Sequence, residues 1–250
     1  MTGTPLNPAT NRNTKTGLRG SDPSTMPRKD YQDKLDDLRS DVIAMSDLVV
    51  ERTEMAMEAL DERDDDLAWD VIDGDEDVND TYLALEQDCV DLLALQQPVA
   101  GDLRLIAASF KIITDLERVG DLATNLADYS IDAKRRVFPD VDVQGLAGDA
   151  LQMVRDATRA YEEEDVELCY EIADRDEGLD ERCERINRNI IRELIQREHE
   201  VESDEEIDEL MVEVSRLLLT VRDLERVGDH GVNIAARTLY MVENDDELIW

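Results

Sequence analysis

Thirteen residues occur twice in this chain: residues 115–127 read DLERVGDLATNLA and residues 223–235 read DLERVGDHGVNIA, nine of the thirteen identical at an offset of 108. A repeat of that period means one supersecondary unit used twice, so whatever the first half folds into, the second half must also fold into. The apolar side chains define the unit. They run Leu35, Leu38, Val42, Met45, Val49, Ala56 and Leu60 in a first segment, the three-then-four spacing that puts one stripe along a helix. A second stripe holds Leu67, Val71, Val78, Tyr82, Leu85, Cys89 and Leu92, and stops before Gln97-Pro98, where proline disfavours helical backbone in the residue ahead of it. A third starts near Val99 and passes Leu103, Ile106, Phe110, Ile113, Leu116, Val119 and Ala123 to about Lys134, with Pro139 and Gly145 in a linker. The second half repeats the plan over residues 146–163, 166–197 and 203–243. Strand-like alternation is absent, and long helices joined by short links favour antiparallel neighbours. The expected fold is all-α, two tandem three-helix bundles over residues 30–137 and 146–243. The second helices align at an offset of 101, so the second copy carries seven more residues between its second and third helices.

Charge narrows the surface. The formal net charge is −36, which repels nucleic acid and anionic lipid and exceeds what solubility requires. Such acidity with few aromatics could signal disorder, but 42% hydrophobic residues at helical spacing argue for a packed chain. Concentrated salt shortens the Debye length to about 3 Å at 1 M, so a halophilic cytosol is the expected setting. Cys89, Cys169 and Cys183 form an odd number without a CxxC pair, which fits a reducing cytosol and core packing rather than redox chemistry. No apolar run is long enough for a signal peptide or a membrane span. Residues 1–29 lack periodicity and carry Arg12, Lys15, Arg19, Arg28 and Lys29 against Asp22. They read as a flexible tail, with Met26 as the expected natural start.

On the third helix the core face is Ile112, Leu116, Val119, Ala123 and Leu126, while Glu117, Asp121, Asn125 and Asp128 lie across from it; Glu225, Asp229 and Asn233 repeat the arrangement. In so acidic a chain a stripe of this kind is ordinarily just a solvated face. The repeat argues otherwise: residues 75–95 and 176–196 share only three identities in twenty-one, so buried positions drifted while Glu-x-x-x-Asp-x-x-x-Asn stayed. Carboxylates four apart on a helix sit with Cβ atoms roughly 5 to 6 Å apart, near enough for one cation between them. Oxygen-only ligands suit Mg²⁺, Ca²⁺, Mn²⁺ or ferric iron rather than zinc or copper. The second-helix stripe is interrupted at Asp75 in one copy and at Asp176 in the other. A carboxylate on a core-facing seam needs a partner, either Arg118 or Arg226 in an ion pair, or a metal shared with the third helix. Gly120 and Gly228 interrupt good helices at about 1 kcal/mol each, which close helix approach explains. His230 has Leu122 as its counterpart and reads as an ordinary helix residue, His199 as part of a polar link. Neither stands beside a candidate nucleophile, and no Gly-rich phosphate loop occurs.

At the doubled LERVGD motif, residues 116–121 and 224–229, the chain resembles the PhoU family, regulators associated with phosphate-specific ABC transporters; LLALQQPVAGDLR at 92–104, the ASFKIITDLERVGD that follows, and NIA at 233–235 extend the likeness over about residues 30–243. The acidity is like that of a haloarchaeal member. The resemblance implies two three-helix bundles about a pseudo-twofold axis and no enzymatic activity. It implies metal clusters, iron foremost, with Mg, Mn or Ca as alternatives, held at Glu117, Asp121, Glu225 and Asp229, to which the stripe and seam add Asn125, Asn233, Asp75 and Asp176. It also implies a cytoplasmic homodimer that restrains phosphate uptake when phosphate is plentiful. Its partner would be the transporter's ATPase subunit, with a signalling kinase as a second, and it would reach the membrane only through them. Two other readings compete. A ferritin-like di-metal enzyme needs Glu-x-x-His on two helices, and no Glu stands three residues before His199 or His230. A metal-free helical adaptor would leave the acidic stripes unused.

Overall fold

The computed structural model describes residues 28–95, 99–131, 141–197 and 203–249. Residues 1–27 of the tail with Met26, together with Gln97-Pro98, Lys134, Pro139 and His199, lie outside the described residues, while Arg28 and Lys29, expected in the tail, instead open the first helix, where Arg28 pairs with Asp102 at 2.9 Å. Seven helices fill almost all of the described chain: α1 (Arg28–Glu62), α2 (Asp65–Asp73), α3 (Asp75–Leu95), α4 (Ala100–Asp128), α5 (Val143–Glu163), α6 (Val166–Arg197) and α7 (Asp204–Glu243). α1 to α4 make one bundle and α5 to α7 the other. α4 packs on α1 and α3 as α7 packs on α5 and α6, while α4 meets α7 and α1 meets α5 at the centre. The arrangement is the tandem pair of three-helix bundles anticipated from the repeat. Gly145, read as linker, sits instead in the first turn of α5, where its N–H donates to the Asp142 carboxylate at 2.9 Å and caps the helix.

The links between first and second helices are two residues long and identical in design. Arg63 (φ 58°) and Glu164 (φ 56°) hold the left-handed conformation that ends the first helix. The next residue starts the second: Asp64 accepts the Leu67 N–H at 3.0 Å and Asp165 accepts the Leu168 N–H at 3.1 Å. This reverses the chain within two residues, so the second helix folds back antiparallel.

The second helix of the first bundle is not continuous. It breaks at Gly74, where the Arg52 guanidinium from α1 donates to the Asp70 carbonyl (3.4 Å) and the Asp77 carboxylate (3.1 Å). A Cβ on Gly74 would lie 2.5 Å from that guanidinium. At the aligned position the second bundle has Arg175, which reaches the opposite way to Asp156 at 2.9 Å, and α6 runs unbroken over 32 residues.

Cys89, Cys169 and Cys183 are free and buried in the core, and burial pushes each thiol up to about 12. Gly120 and Gly228 explain themselves in matching fashion. A Cβ on Gly120 would come within 2.8 Å of Val78, and one on Gly228 would overlap Leu179, the aligned residue. The third helix of each bundle thus lies directly against the second, just where the acidic stripe runs.

Polar contacts close the seam between bundles. Ser46 and Thr158 hydroxyls meet at 2.7 Å, Ser109 and Tyr161 at 2.6 Å, and the Tyr129 hydroxyl donates to Asp223 at 2.8 Å. Asp223 is fully buried and is also approached by Arg222 (3.3 Å) and Arg226 (3.6 Å). A buried carboxylate is tolerated only with partners of this kind.

Candidate metal sites

The close packing at Gly120 and Gly228 brings the third-helix stripe under the second helix rather than leaving it wholly to solvent. Glu117 and Glu225 are half-buried, while Asp121 and Asp229 remain exposed. Burial, followed by the repulsion of Asp121 and Asp75, raises the Glu117 carboxyl above its ordinary value, and burial with Asp75 raises Asp121. In the other bundle, burial and then Asp180 and Asp229 raise Glu225, while burial and Asp180 raise Asp229. Carboxylates held against their own repulsion are an arrangement a cation relieves.

The seam carboxylates differ between the two copies. Asp75 is satisfied by hydrogen bonds: its Oδ2 accepts from the Asn79 amide at 2.8 Å and its Oδ1 from the Thr124 hydroxyl at 3.2 Å. Asp176 is not. Its Oδ1 is buried without a hydrogen-bond partner, and burial, then Asp180, Asp229 and Glu225, push its carboxyl up to about 6. Neither arginine offered as an ion-pair partner fills that role: Arg226 turns to Asp223 at 3.6 Å, and Arg118 is exposed and in no ion pair with Asp75 among the described residues.

Oxygens of Asp176, Asp180 and Asp229 lie within 4.8 Å of one another, the one such trio of candidate ligands among the described residues. An orphaned, buried carboxylate oxygen beside two further carboxylates, with no sulfur or imidazole in the trio, fits a hard cation. Asp180 escapes the comparison of the two copies because its aligned residue is Asn79, so it does not stand out as a shared carboxylate. The D-x-x-x-D spacing of 176–180 was nevertheless there to be read, the same four-residue step as Glu225 to Asp229.

The stripe's asparagines part company. Asn125 stays exposed one turn beyond Asp121. Asn233 donates its amide to Asp115 Oδ1 at 3.3 Å, across the seam in the other bundle. His230, read as an ordinary helix residue, is buried and shares that acceptor, its Nδ1 at 3.0 Å. Helical periodicity within one repeat carries no sign of a contact made between repeats.

Several turns away from each acidic cluster along the same helices, exposed apolar side chains correspond between copies: Val99 with Ile207, Leu103 with Met211, and Val90 with Ile191, each roughly half exposed.

The PhoU domain matches residues 42–130 and 143–238. A phosphate-specific transport system accessory protein PhoU homolog from Pseudomonas putida is 33% identical, covering 86% of this chain and 82% of its own length. The Escherichia coli phosphate-specific transport system accessory protein PhoU is 28% identical, with 86% of each chain covered. A homolog from Methanothermobacter thermautotrophicus is 30% identical over 86% of this chain and 95% of its own. Among solved structures, PhoU from Pseudomonas aeruginosa superposes with a TM-score of 0.78 at 30% identity, covering 86% of this chain and all of its own. The phosphate transport system regulatory protein PhoU from Streptococcus pneumoniae gives 0.75 at 25% identity, with 86% and 98% covered.

Proposed function

The chain belongs to the PhoU family, and from that premise we propose that it regulates phosphate uptake by restraining a phosphate-specific ABC transporter when phosphate is plentiful, with hard cations bound at its carboxylate clusters. Its relatives are named as accessory and regulatory proteins of phosphate transport, which supports a regulatory rather than an enzymatic role. The observation that carries the metal half of the reading is the Asp176 carboxylate, whose Oδ1 is buried and unpartnered and which lies within reach of Asp180 and Asp229. Asp176, Asp180, Glu225 and Asp229 would hold the ion in the second bundle, and Asp75, Glu117 and Asp121 in the first. Iron is the first candidate, with manganese, magnesium or calcium acceptable to the same oxygens. A bound cation would neutralise the repulsion that raises these carboxyls and would tie the second helix of each bundle to the third.

The partner half rests on surface chemistry. No helix is long and apolar enough to cross a membrane among the described residues, so membrane transport would be controlled through another protein, in this reading the transporter's ATPase subunit on the cytoplasmic face. The corresponding exposed apolar side chains would give that subunit contacts in a surface otherwise dominated by repelling charge. The test combines both halves. Elemental analysis and metal titration of the Glu117→Ala/Glu225→Ala double variant should show lost stoichiometry, and the variant should capture the purified ATPase subunit less well. Unchanged stoichiometry would leave a metal-free adaptor, and failure of the unaltered protein to retain the ATPase subunit would remove the transporter contact.

A further inference from the structure

We propose that the two bundles bind cations unequally, the second tightly and first, the first weakly and later, because position 180 is Asp where the first bundle has Asn79. This rests on the metal reading above and concerns the order in which its two sites fill. Around the seam carboxylate the aligned sites differ at two positions, and both differences point the same way. Asn79 donates to Asp75 Oδ2 at 2.8 Å and Thr124 to Asp75 Oδ1 at 3.2 Å, so a cation entering the first bundle must displace hydrogen bonds that already satisfy its seam carboxylate. A carboxylate can only accept, so the amide nitrogen is the atom that faces it. In the second bundle Asp180 replaces Asn79 and Val232 replaces Thr124. Neither brings the amide or hydroxyl donor that its counterpart supplies, and Asp176 Oδ1 is left without a partner.

The anionic groups differ as well. The second site gathers Asp176, Asp180, Glu225 and Asp229, where the first has Asp75, Glu117 and Asp121. Affinity for hard cations follows the number of charged ligands and the rigidity of the site. Nearby cationic side chains do not offset this: Arg118 and Arg226 both act on Asp121 in the first site, Arg226 and His230 act on Asp229 in the second, and among the described residues no cation acts on Glu225. The sites therefore fill in sequence as the cation concentration rises, and the protein has a half-loaded state in which one bundle is clamped and the other is not.

Manganese(II) titrated into the chelator-stripped full chain, with free ion counted by its electron paramagnetic resonance signal, tests the ranking. Two classes of site separated by about tenfold or more are expected, by the dependence of affinity on ligand charge. Glu225→Ala should remove the tight class and Glu117→Ala should spare it. Asp180→Asn should weaken the tight class toward the other, and Asn79→Asp should tighten the weak class. Two sites of equal affinity in the unaltered chain would overturn the ranking and leave the metal reading standing, as would a tight class that survives Asp180→Asn unchanged. No manganese uptake by either bundle would bring down the metal reading itself, and the ranking with it.

Discussion

In protein stripped of metal by a chelator, replacing Asp176 with Asn should stabilise the fold, and in metal-loaded protein the same change should destabilise it. The magnitude follows from the site. The Asp176 carboxyl is pushed from its ordinary 3.8 to about 6 by burial and by Asp180, Asp229 and Glu225. Each pH unit corresponds to about 1.4 kcal/mol, so the ionised group would cost ~3 kcal/mol at neutral pH if nothing screened it. Asp180 and Asp229 are exposed, and solvent screening reduces the figure to ~1–2 kcal/mol. The asparagine amide regains part of the rest by donating to either neighbour. For a chain of this size ~1 kcal/mol moves Tm by about 2–4 °C, so thermal unfolding followed by circular dichroism in chelator should show a rise of about 2–8 °C. The pH dependence has a definite sign. The folded chain holds this proton more tightly than the unfolded chain, so the carboxyl's contribution is fully present below 3.8 and is lost as pH rises through about 6. The advantage of the variant should therefore be absent in acid, grow across that interval and level off above it. With manganese near 100 times its dissociation constant, binding adds about 2.7 kcal/mol to the unaltered protein, which the variant forfeits in part. A variant no more stable than the unaltered chain in chelator at neutral pH, or an advantage that persists in acid, would refute the argument.

Other outcomes follow from the packing. Gly228→Ala should lower Tm despite alanine's better helix propensity, since its Cβ overlaps Leu179; overpacking costs about 1–3 kcal/mol, and Leu179→Ala in the same chain should offset that clash. Tyr129→Phe removes a donor at 2.8 Å from the fully buried Asp223 and should cost about 1–3 kcal/mol by denaturant titration. Arg63→Gly relieves a left-handed residue (φ 58°) and should raise stability by about 0.5 kcal/mol, the relief exceeding the extra entropy glycine loses. The three thiols, buried and pushed up to about 12, should ignore a disulfide reagent in the folded protein near pH 8 and react fully once it is unfolded.

The fold was legible because its signal is redundant: a 3.6-residue period over long segments, doubled by the repeat. Gly74 shows the limit of that signal. The stripe shows only a charge on the seam at Asp75, whereas the backbone breaks one residue earlier, at Gly74, where Arg52 from another helix packs across it. The carboxylate stripe was legible for a different reason, its persistence between copies that had otherwise diverged. The same criterion concealed Asp180, whose importance lies in being unlike Asn79. His230 and Asn233 meeting Asp115 lay beyond reach, because a contact across the α4–α7 seam depends on how two amphipathic units dock, and their individual patterns do not encode that angle.

The α4–α7 seam is the kind of surface two separate subunits would share about a twofold axis, here enclosed within one polypeptide. In a symmetric pair every substitution appears twice, and the two halves can never become different. Once joined in tandem, each half can mutate alone, and Asp115 can face a histidine while its counterpart Asp223 faces a tyrosine. Covalent fusion is thus what permits a molecule built from duplicate parts to give those parts separate duties.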